Sequence, residues 1–382
     1  MTLPDAFDAD LLATPLFDDA HRDLAESLAS HCADRAERWA RLREHPPAEA
    51  CRRLLRDIGA AGWLDHLRPG RPDTGLRAVC LRRQALAYHE DLADFVYSIQ
   101  ELSAAALARH GTEAQRRRLD GLGTGERIGA LALSEAEAGS DLAAVALEAA
   151  PDGDGFVLNG AKTWIAQGDI ADLLIVLART GEGPGPLGLT AFLVDAEAPG
   201  LKTEPIPAIA PRSWAEATFT DCRVGPDAVL GERGQGYVVA LDVLDRARVT
   251  VAAAAIGFAR RAMRLAVERA RGRRAYRGRL ADLQLVKASL ADMDLDLAAA
   301  SLLTARAAWA ADSGRDYAKA SAAAKLHATE AADRITDAAV QVFGAAGLVA
   351  GSPTERLYRQ TRSLRIYEGP SEVLKMAIAD AL

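Results

Sequence analysis

One carboxylate near the C-terminus leads the side chains that could do chemistry. Glu368 lies in the segment Arg365-Ile366-Tyr367-Glu368-Gly369, and a carboxylate whose pKa is raised by an apolar pocket can act as a general base. A Glu ahead of a Gly is also ordinary composition for a solvated helix start, so the segment alone leaves both roles open. Far upstream, Leu133-Ser134-Glu135-Ala136-Glu137-Ala138-Gly139-Ser140-Asp141-Leu142 ends in Gly-Ser-Asp, which by itself is common turn chemistry. Gly231-Glu232-Arg233-Gly234-Gln235-Gly236 is Gly-rich. Its spacing is not G-x-G-x-x-G and no βαβ pattern surrounds it, so it is no nucleotide fingerprint. Cys32, Cys51, Cys80 and Cys222 are scattered without a C-x-x-C pair, and the seven His show no H-E-x-x-H spacing. No metal site and no disulfide is expected, and the cysteines read as buried free thiols. His110 and His327 read as packing or surface residues rather than ligands.

Composition bounds the partners. The 382 residues carry 46 Lys+Arg against 53 Asp+Glu, a net charge of −7, which argues against a general nucleic-acid binder. Local Arg clusters can still hold an anionic ligand. Hydrophobic residues make up 49% but aromatics only 5%, so a sizeable core must be built mostly from Ala, Leu and Val. Met1 to Asp10 has no basic n-region and no apolar h-region, and no run approaches the ~20 apolar residues of a membrane span. A soluble cytoplasmic protein without membrane insertion is the expectation.

These candidates need elements to position them. Apolar residues at three- and four-residue spacing predict helices over 21–40, 47–61 and 76–110, with Gly121, Gly123 and Gly125 as a loop that breaks the pattern. The middle changes character. Phe156 to Ile165 reads as a hairpin around Asn159-Gly160, with further strands at 173–178, 189–195 and 214–220 separated by Gly/Pro turns. Long Ala-rich helices follow at roughly 237–274, 280–312 and 316–345, in a style that lets helices approach closely. The predicted class is multidomain α+β: an N-terminal helical domain (1–127), a middle antiparallel β domain (128–235) and a C-terminal four-helix-bundle domain (236–382).

Taken together, in this order and separation, the two motifs resemble those of the acyl-CoA dehydrogenase family, and the resemblance covers nearly the whole chain. It implies one FAD per subunit of a homotetramer or homodimer, seated between the β unit and the helical bundle. The implied reaction is α,β-dehydrogenation of an acyl thioester, with Glu368 taking the α proton and flavin N5 the β hydride. The substrate is carried on CoA or on an acyl- or peptidyl-carrier protein, and an electron-transfer flavoprotein or another acceptor takes the electrons. Tyr367-Glu368-Gly369 matches the segment that carries the family's base in short- and medium-chain members. Leu133, Ser134, Gly139 and Ser140 match its flavin- and substrate-contacting loop. Trp164, beside Ile165, matches a Trp packed on the flavin ring. Arg273, Tyr276 and Gln284 match a stretch whose Arg meets the FAD diphosphate of a neighbouring subunit. Gln341, Gly344 and Ala345 match a small-residue loop against FAD. Ser140, Arg248, Tyr367 and Gly369 would touch substrate, Arg248 near the entrance for the CoA adenosine phosphate.

Several positions depart from the family pattern. Ala166 stands where a hydroxyl usually bonds flavin N5, and Pro370 stands where a Thr commonly follows the base. Tyr276 and Arg277-Gly278 replace Phe and Gly-Lys, Gln360 replaces an Asp, and Ala136-Glu137 replaces Pro-Gly. None removes the base, and together they mark a divergent branch acting on short, branched or carrier-bound acyl groups. Two other readings stay open: a flavin oxidase or monooxygenase on the same fold, and a non-catalytic member acting as a binding subunit.

Overall fold

Apolar spacing does decide the N-terminal helices. In the computed structural model, which describes residues 5–71 and 74–382, the chain opens with α1 (Ala9–Leu12), α2 (Asp19–Leu42), α3 (Pro47–Ala60), α4 (Gly75–His89) and α5 (Asp91–His110). Helix α3 shows the logic. Pro47 occupies the first turn, where a missing N–H costs nothing, and Ala50, Cys51, Leu54, Leu55 and Ile58 form one buried face. Two short helices follow, α6 (Glu113–Arg116) and α7 (Leu119–Thr124). Helix α7 corrects the expected loop. Gly121 and Gly123 are helical, and only Gly125 ends the helix, in the left-handed cap position at φ 72°. Gly123 is there for space: a Cβ would lie 2.3 Å from Arg68 Cγ.

The middle of the chain forms one sheet of eight strands among the described residues. They are β1 (Gly129–Ala132), β2 (Glu148–Asp152), β3 (Gly155–Ala166), β4 (Leu173–Arg179), β5 (Leu189–Asp195), β6 (Leu201–Pro205), β7 (Trp214–Val224) and β8 (Val229–Leu230). The order is β6-β7-β3-β2-β4-β5-β8, with β1 also on β4. Pairing is antiparallel except for β1–β4 and the single β2–β4 pair, which are parallel. The inner face buries Leu158, Leu174, Val176, Phe192, Val194 and Phe219.

The expected hairpin at Asn159-Gly160 is not there. Both residues lie within the continuous strand β3, and the turn comes earlier, between β2 and β3 at Gly153 (φ 63°). Asn-Gly marks a bulge instead: pairing with β7 shifts register between Leu158 and Gly160. Gly160 sits at φ 141°, where a Cβ would lie 3.0 Å from the Leu147 backbone, and the Asn159 amide pairs with Asp221. A second shift falls between Lys162 and Ile165.

Helices resume with α8 (Gly236–Gly272), a short ribbon of β9 (Arg274–Ala275) and β10 (Gly278–Arg279), then α9 (Gln284–Asp312), α10 (Ala318–Phe343), α11 (Pro353–Arg362) and α12 (Ser371–Asp380). Helix α10 buries Ala322, Ala324, Ala328, Ala331, Ala332 and Ala339, small side chains that let neighbouring helices come close. The chain sorts into two compact units. Of the described residues, one comprises 5–40, 74–94 and 245–382, the other 41–71 and 95–244. No described helix is long and apolar enough to cross a membrane, and no cluster of metal-ligating side chains occurs among the described residues.

Candidate active site

Glu368 stands on a tight connection in the first unit. Helix α11 ends at Arg362, one 3₁₀ turn spans Ser363–Arg365, and α12 starts at Ser371 behind Pro370. Between them Glu368 takes φ 57° and Gly369 φ 96°. A side-chain-bearing residue in the left-handed region costs roughly 1–2 kcal/mol, so the surroundings must over-determine it. Arg365 Nε bonds Glu330 and Nη1 bonds Asp333, both at 2.9 Å. Ser371 Oγ donates to the same Glu330 at 2.5 Å. The Gly369 carbonyl accepts from Lys325 Nζ at 2.7 Å, and the Glu368 carbonyl accepts a longer bond from Arg248 Nε at 3.4 Å. Lys325, Glu330 and Asp333 all belong to α10, so one helix grips the connection at three points. The Glu368 N–H makes no hydrogen bond within the described protein.

Electrostatics around the carboxylate run in two directions. Glu368 is half-buried as a residue, but the atoms crowded around its carboxyl desolvate it and raise it above its ordinary value, while Lys325, Arg248 and Arg83 pull it back without cancelling the effect. Arg83 comes from α4. It is 2% exposed and locked by two 2.8 Å bonds to Asp94 and a 3.0 Å bond to Thr250. Lys325 is wholly buried, and burial brings its ammonium down to about 8 against the attraction of Glu368. Burial and the three cations thus act on the carboxylate in opposite directions, and burial dominates.

A second cluster forms in the other unit. The backbone N–H of Thr163 donates to the Ser134 carbonyl at 2.9 Å, which brings Leu133-Ser134 beside Trp164-Ile165. Buried Lys162 ties the same place together, donating to the Leu133 carbonyl at 2.9 Å and to Glu135 Oε1 at 2.8 Å. Glu135 in turn accepts from the Ala146 and Leu147 N–H groups. Trp164 has φ 55°, so the second irregularity of β3 turns its indole outward while Ile165 points into the core. The indole is 56% exposed and braced edge-on by Trp214 at 6.2 Å, which packs on Phe95 at 5.2 Å. Gly139 and Ser140 are exposed on the same loop.

Arg273, Tyr276 and Gln284 form a third group, again in the first unit. Arg273 follows α8, Tyr276 tips the β9–β10 ribbon at 96% exposure, and Gln284 opens α9. Gln341, Gly344 and Ala345 lie at the end of α10. Arg269 joins the two stretches, donating to the Phe343 carbonyl and stacking over its ring. This group is remote from Glu368 within one chain. Lys325 marks the Glu368 end of α10 and Gln341 the other, sixteen residues on, or ~24 Å at the helical rise. Arg248, expected near a substrate entrance, has its partners within the protein. Its side chain is 14% exposed, and its guanidinium bonds Asp245 at 2.6 Å and the Glu368 carbonyl.

Comparison with known proteins places this arrangement. Residues 130–222 match the acyl-CoA dehydrogenase middle domain and residues 234–382 the acyl-CoA dehydrogenase C-terminal domain. Human mitochondrial short-chain specific acyl-CoA dehydrogenase is 42% identical over 262 residues, covering 68% of this chain and 64% of that protein. The match thus spans a little under two thirds of that relative's length. Among solved structures, butyryl-CoA dehydrogenase from Megasphaera elsdenii superposes with a TM-score of 0.87 at 29% identity, over 96% of this chain and 98% of that one. A structure of PigA with FAD and proline gives 0.89 at 26% identity, over 96% and 98%. The chain belongs to the acyl-CoA dehydrogenase family.

Sequence reasoning missed Lys325, Arg83, Lys162 and Trp214. Lys162 could have been flagged, because a lone Lys in the strand Gly155–Ala166 has to find a partner if it faces inward. Lys325 and Arg83 carry no such signal: each is one basic residue in a helical run.

Proposed function

We propose that this protein is an FAD-dependent dehydrogenase of a short acyl thioester, with Glu368 as the base. The observation that carries the reading is the Glu368 connection: a strained left-handed carboxylate, held from both sides and raised by burial. Strain of this kind concentrates at functional sites. A carboxyl raised toward the working pH is a better base than an exposed one. The 42% identity to a short-chain specific enzyme supports a short acyl group on CoA. A carrier-protein thioester is the alternative within the same chemistry.

The residues suit the cofactor by their donor chemistry. Ser134, Ser140, Arg273, Gln284 and Gln341 are polar groups whose side chains make no hydrogen bond within the described protein, and Trp164 offers an exposed indole edge or face. Ser134 and Trp164 would hold the flavin ring. Arg273, Gln284 and the Gln341–Ala345 turn would hold phosphate and sugar. Their ~24 Å separation from the Glu368 end of α10 supports Arg273 serving the FAD of a neighbouring subunit in a dimer or tetramer. Held by these residues, FAD would supply a hydride acceptor for the β hydrogen.

This chain's own groups do the rest. The unpaired Glu368 N–H is a donor for the thioester oxygen, and that bond stabilises the enolate charge that develops as the α C–H breaks. Glu368 takes the α proton onto its carboxylate, and a 2-enoyl thioester is left. The loop carrying Ser140 would steer the carrier arm. An electron-transfer flavoprotein or another acceptor would then take the electrons.

The test is anaerobic mixing of the FAD-loaded protein with butyryl-CoA, following loss of flavin absorbance. The parent should bleach. Glu368→Gln keeps size and hydrogen bonding and should bind FAD and thioester, yet reduce its flavin at least ~10²–10⁴-fold more slowly. Reduction by this variant at close to the parent rate would remove Glu368 as base and turn attention to Glu372.

A further inference from the structure

The base is only as good as the aim of its carboxylate, and that aim is set by two left-handed residues. The contacts around them are not equivalent. Arg365 and Ser371 anchor the flanks of the connection to Glu330 and Asp333. Among the described residues, two side chains reach the carbonyls of the strained pair. Arg248 does so at 3.4 Å and spends its Nη1 on Asp245, whereas Lys325 does so at 2.7 Å.

Lys325 is an expensive residue for a purely structural part. It is 0% exposed, in the middle of an Ala-rich face, and its ammonium has a single hydrogen-bond acceptor, the Gly369 carbonyl. A buried charge with one partner is unfavourable, and an apolar side chain of the same length would fill the space. What an apolar chain cannot do is hold the carbonyl or place a cation beside Glu368.

We propose that Lys325 is a positioning residue for the base. Its ammonium holds the Gly369 carbonyl, locks the left-handed Glu368–Gly369 pair and so fixes where the carboxylate meets the α hydrogen. This rests on Glu368 being the base. The charged groups that act on the carboxylate are Lys325 on α10, Arg248 on α8 and Arg83 on α4; Glu330 on α10 and Arg365 face Lys325, and Tyr367 faces Arg83. Arg83 and Arg248 keep their own partners, Asp94 and Asp245, when Lys325 is changed. The local electrostatic change is therefore the loss of one cation, which lets the Glu368 carboxyl rise further.

The experiment uses the FAD-loaded protein carrying Lys325→Met or Lys325→Gln, with rapid-mixing flavin reduction by butyryl-CoA across pH. Lys325→Met should keep FAD and bind the thioester within a few-fold, yet reduce its flavin ~10–10²-fold more slowly, the effect of a small misalignment. The acidic limb of its rate profile should move to higher pH. Lys325→Gln restores a donor without the charge. It should recover much of the rate while keeping the displaced limb. Parent rates and an unmoved limb in a folded, FAD-loaded Lys325→Met would overturn the proposal. If that variant does not fold, the same result in Lys325→Gln overturns it. Glu368→Gln run alongside separates the failures. Parent-like reduction there defeats the base itself, while a dead Glu368→Gln with parent-like Lys325 variants defeats only this inference.

Discussion

Removing Glu135 should destabilise the loop that carries Ser134 and Ser140, by an amount the structure lets us work out. Glu135 accepts three bonds, from Lys162 Nζ at 2.8 Å and from the Ala146 and Leu147 N–H groups at 2.8 and 2.9 Å. The Lys162 side chain is 0% exposed and that of Glu135 12%, so the pair is buried on the Lys side. In Glu135→Ala the exposed Ala146 N–H finds water, but Lys162 is left with the Leu133 carbonyl alone and the Leu147 N–H is stranded. Breaking a buried pair from one side costs ~3–5 kcal/mol, because the surviving charge is uncompensated. The stranded N–H falls within that range, since the lysine can escape the worst of it by deprotonating. Burial already brings Lys162 to about 8, and Glu135 is what holds it up, so its loss lowers the value further. A lysine lowered by folding penalises the native state below its folded pKa, and the penalty fades as pH rises toward the unfolded value. The destabilisation should therefore be largest below neutrality and shrink in alkali. At ~2–4 °C per kcal/mol the melting temperature should fall by about 6–20 °C. Scanning calorimetry of the FAD-loaded protein measures this, and the same sample reports FAD loss. The double variant Glu135→Ala, Lys162→Met removes the stranded charge and should regain part of the loss. A melting shift of under about 2 °C in the single variant, or a double variant no better than the single, would refute the reasoning.

Other consequences concern the cofactor and the base. Arg273→Ala should loosen FAD by roughly 1–3 kcal/mol, the value of a charge-assisted contact, measured by FAD released on dilution. Retention equal to the parent would remove Arg273 from the diphosphate. Because folding raises the Glu368 carboxyl, its ionised form costs stability above the ordinary carboxylate range and nothing below it. Glu368→Gln should thus be more stable than the parent to urea at neutral pH, with the two converging in acid. The parent's flavin reduction should also slow as pH falls through the raised value. An equal or lower urea midpoint for the variant at neutral pH would contradict the direction of the shift.

How much of this was readable in advance depends on the distance over which each signal acts. The sequence carried the α–β–α order, because helical and strand periodicities are local. It made Glu368 a candidate, because Tyr-Glu-Gly behind an upstream Ser134 loop is a linear pattern. It also flagged Asn159-Gly160 as a break, but the type of break was misjudged. A Gly needing φ 141° serves a bulge as well as a turn, and β7 with Leu147 behind it decided for the bulge. Gly121 and Gly123 were likewise read as a loop but lie in a helix, where Gly123 leaves the room that Arg68 fills.

What only the tertiary structure decided is the surroundings of Glu368. Arg83, Arg248, Lys325 and Glu330 come from α4, α8 and α10, separated from Glu368 by tens to hundreds of residues, and no periodicity marks any of them. Arg248 shows the limit most clearly: its presence was noticed, but its partner is the Glu368 carbonyl 120 residues away. Identity and order of chemical groups are written along the chain. Burial, charge neighbours and the left-handed Glu368–Gly369 pair exist only once the helices have packed, because desolvation and Coulomb interaction act through space and not along sequence.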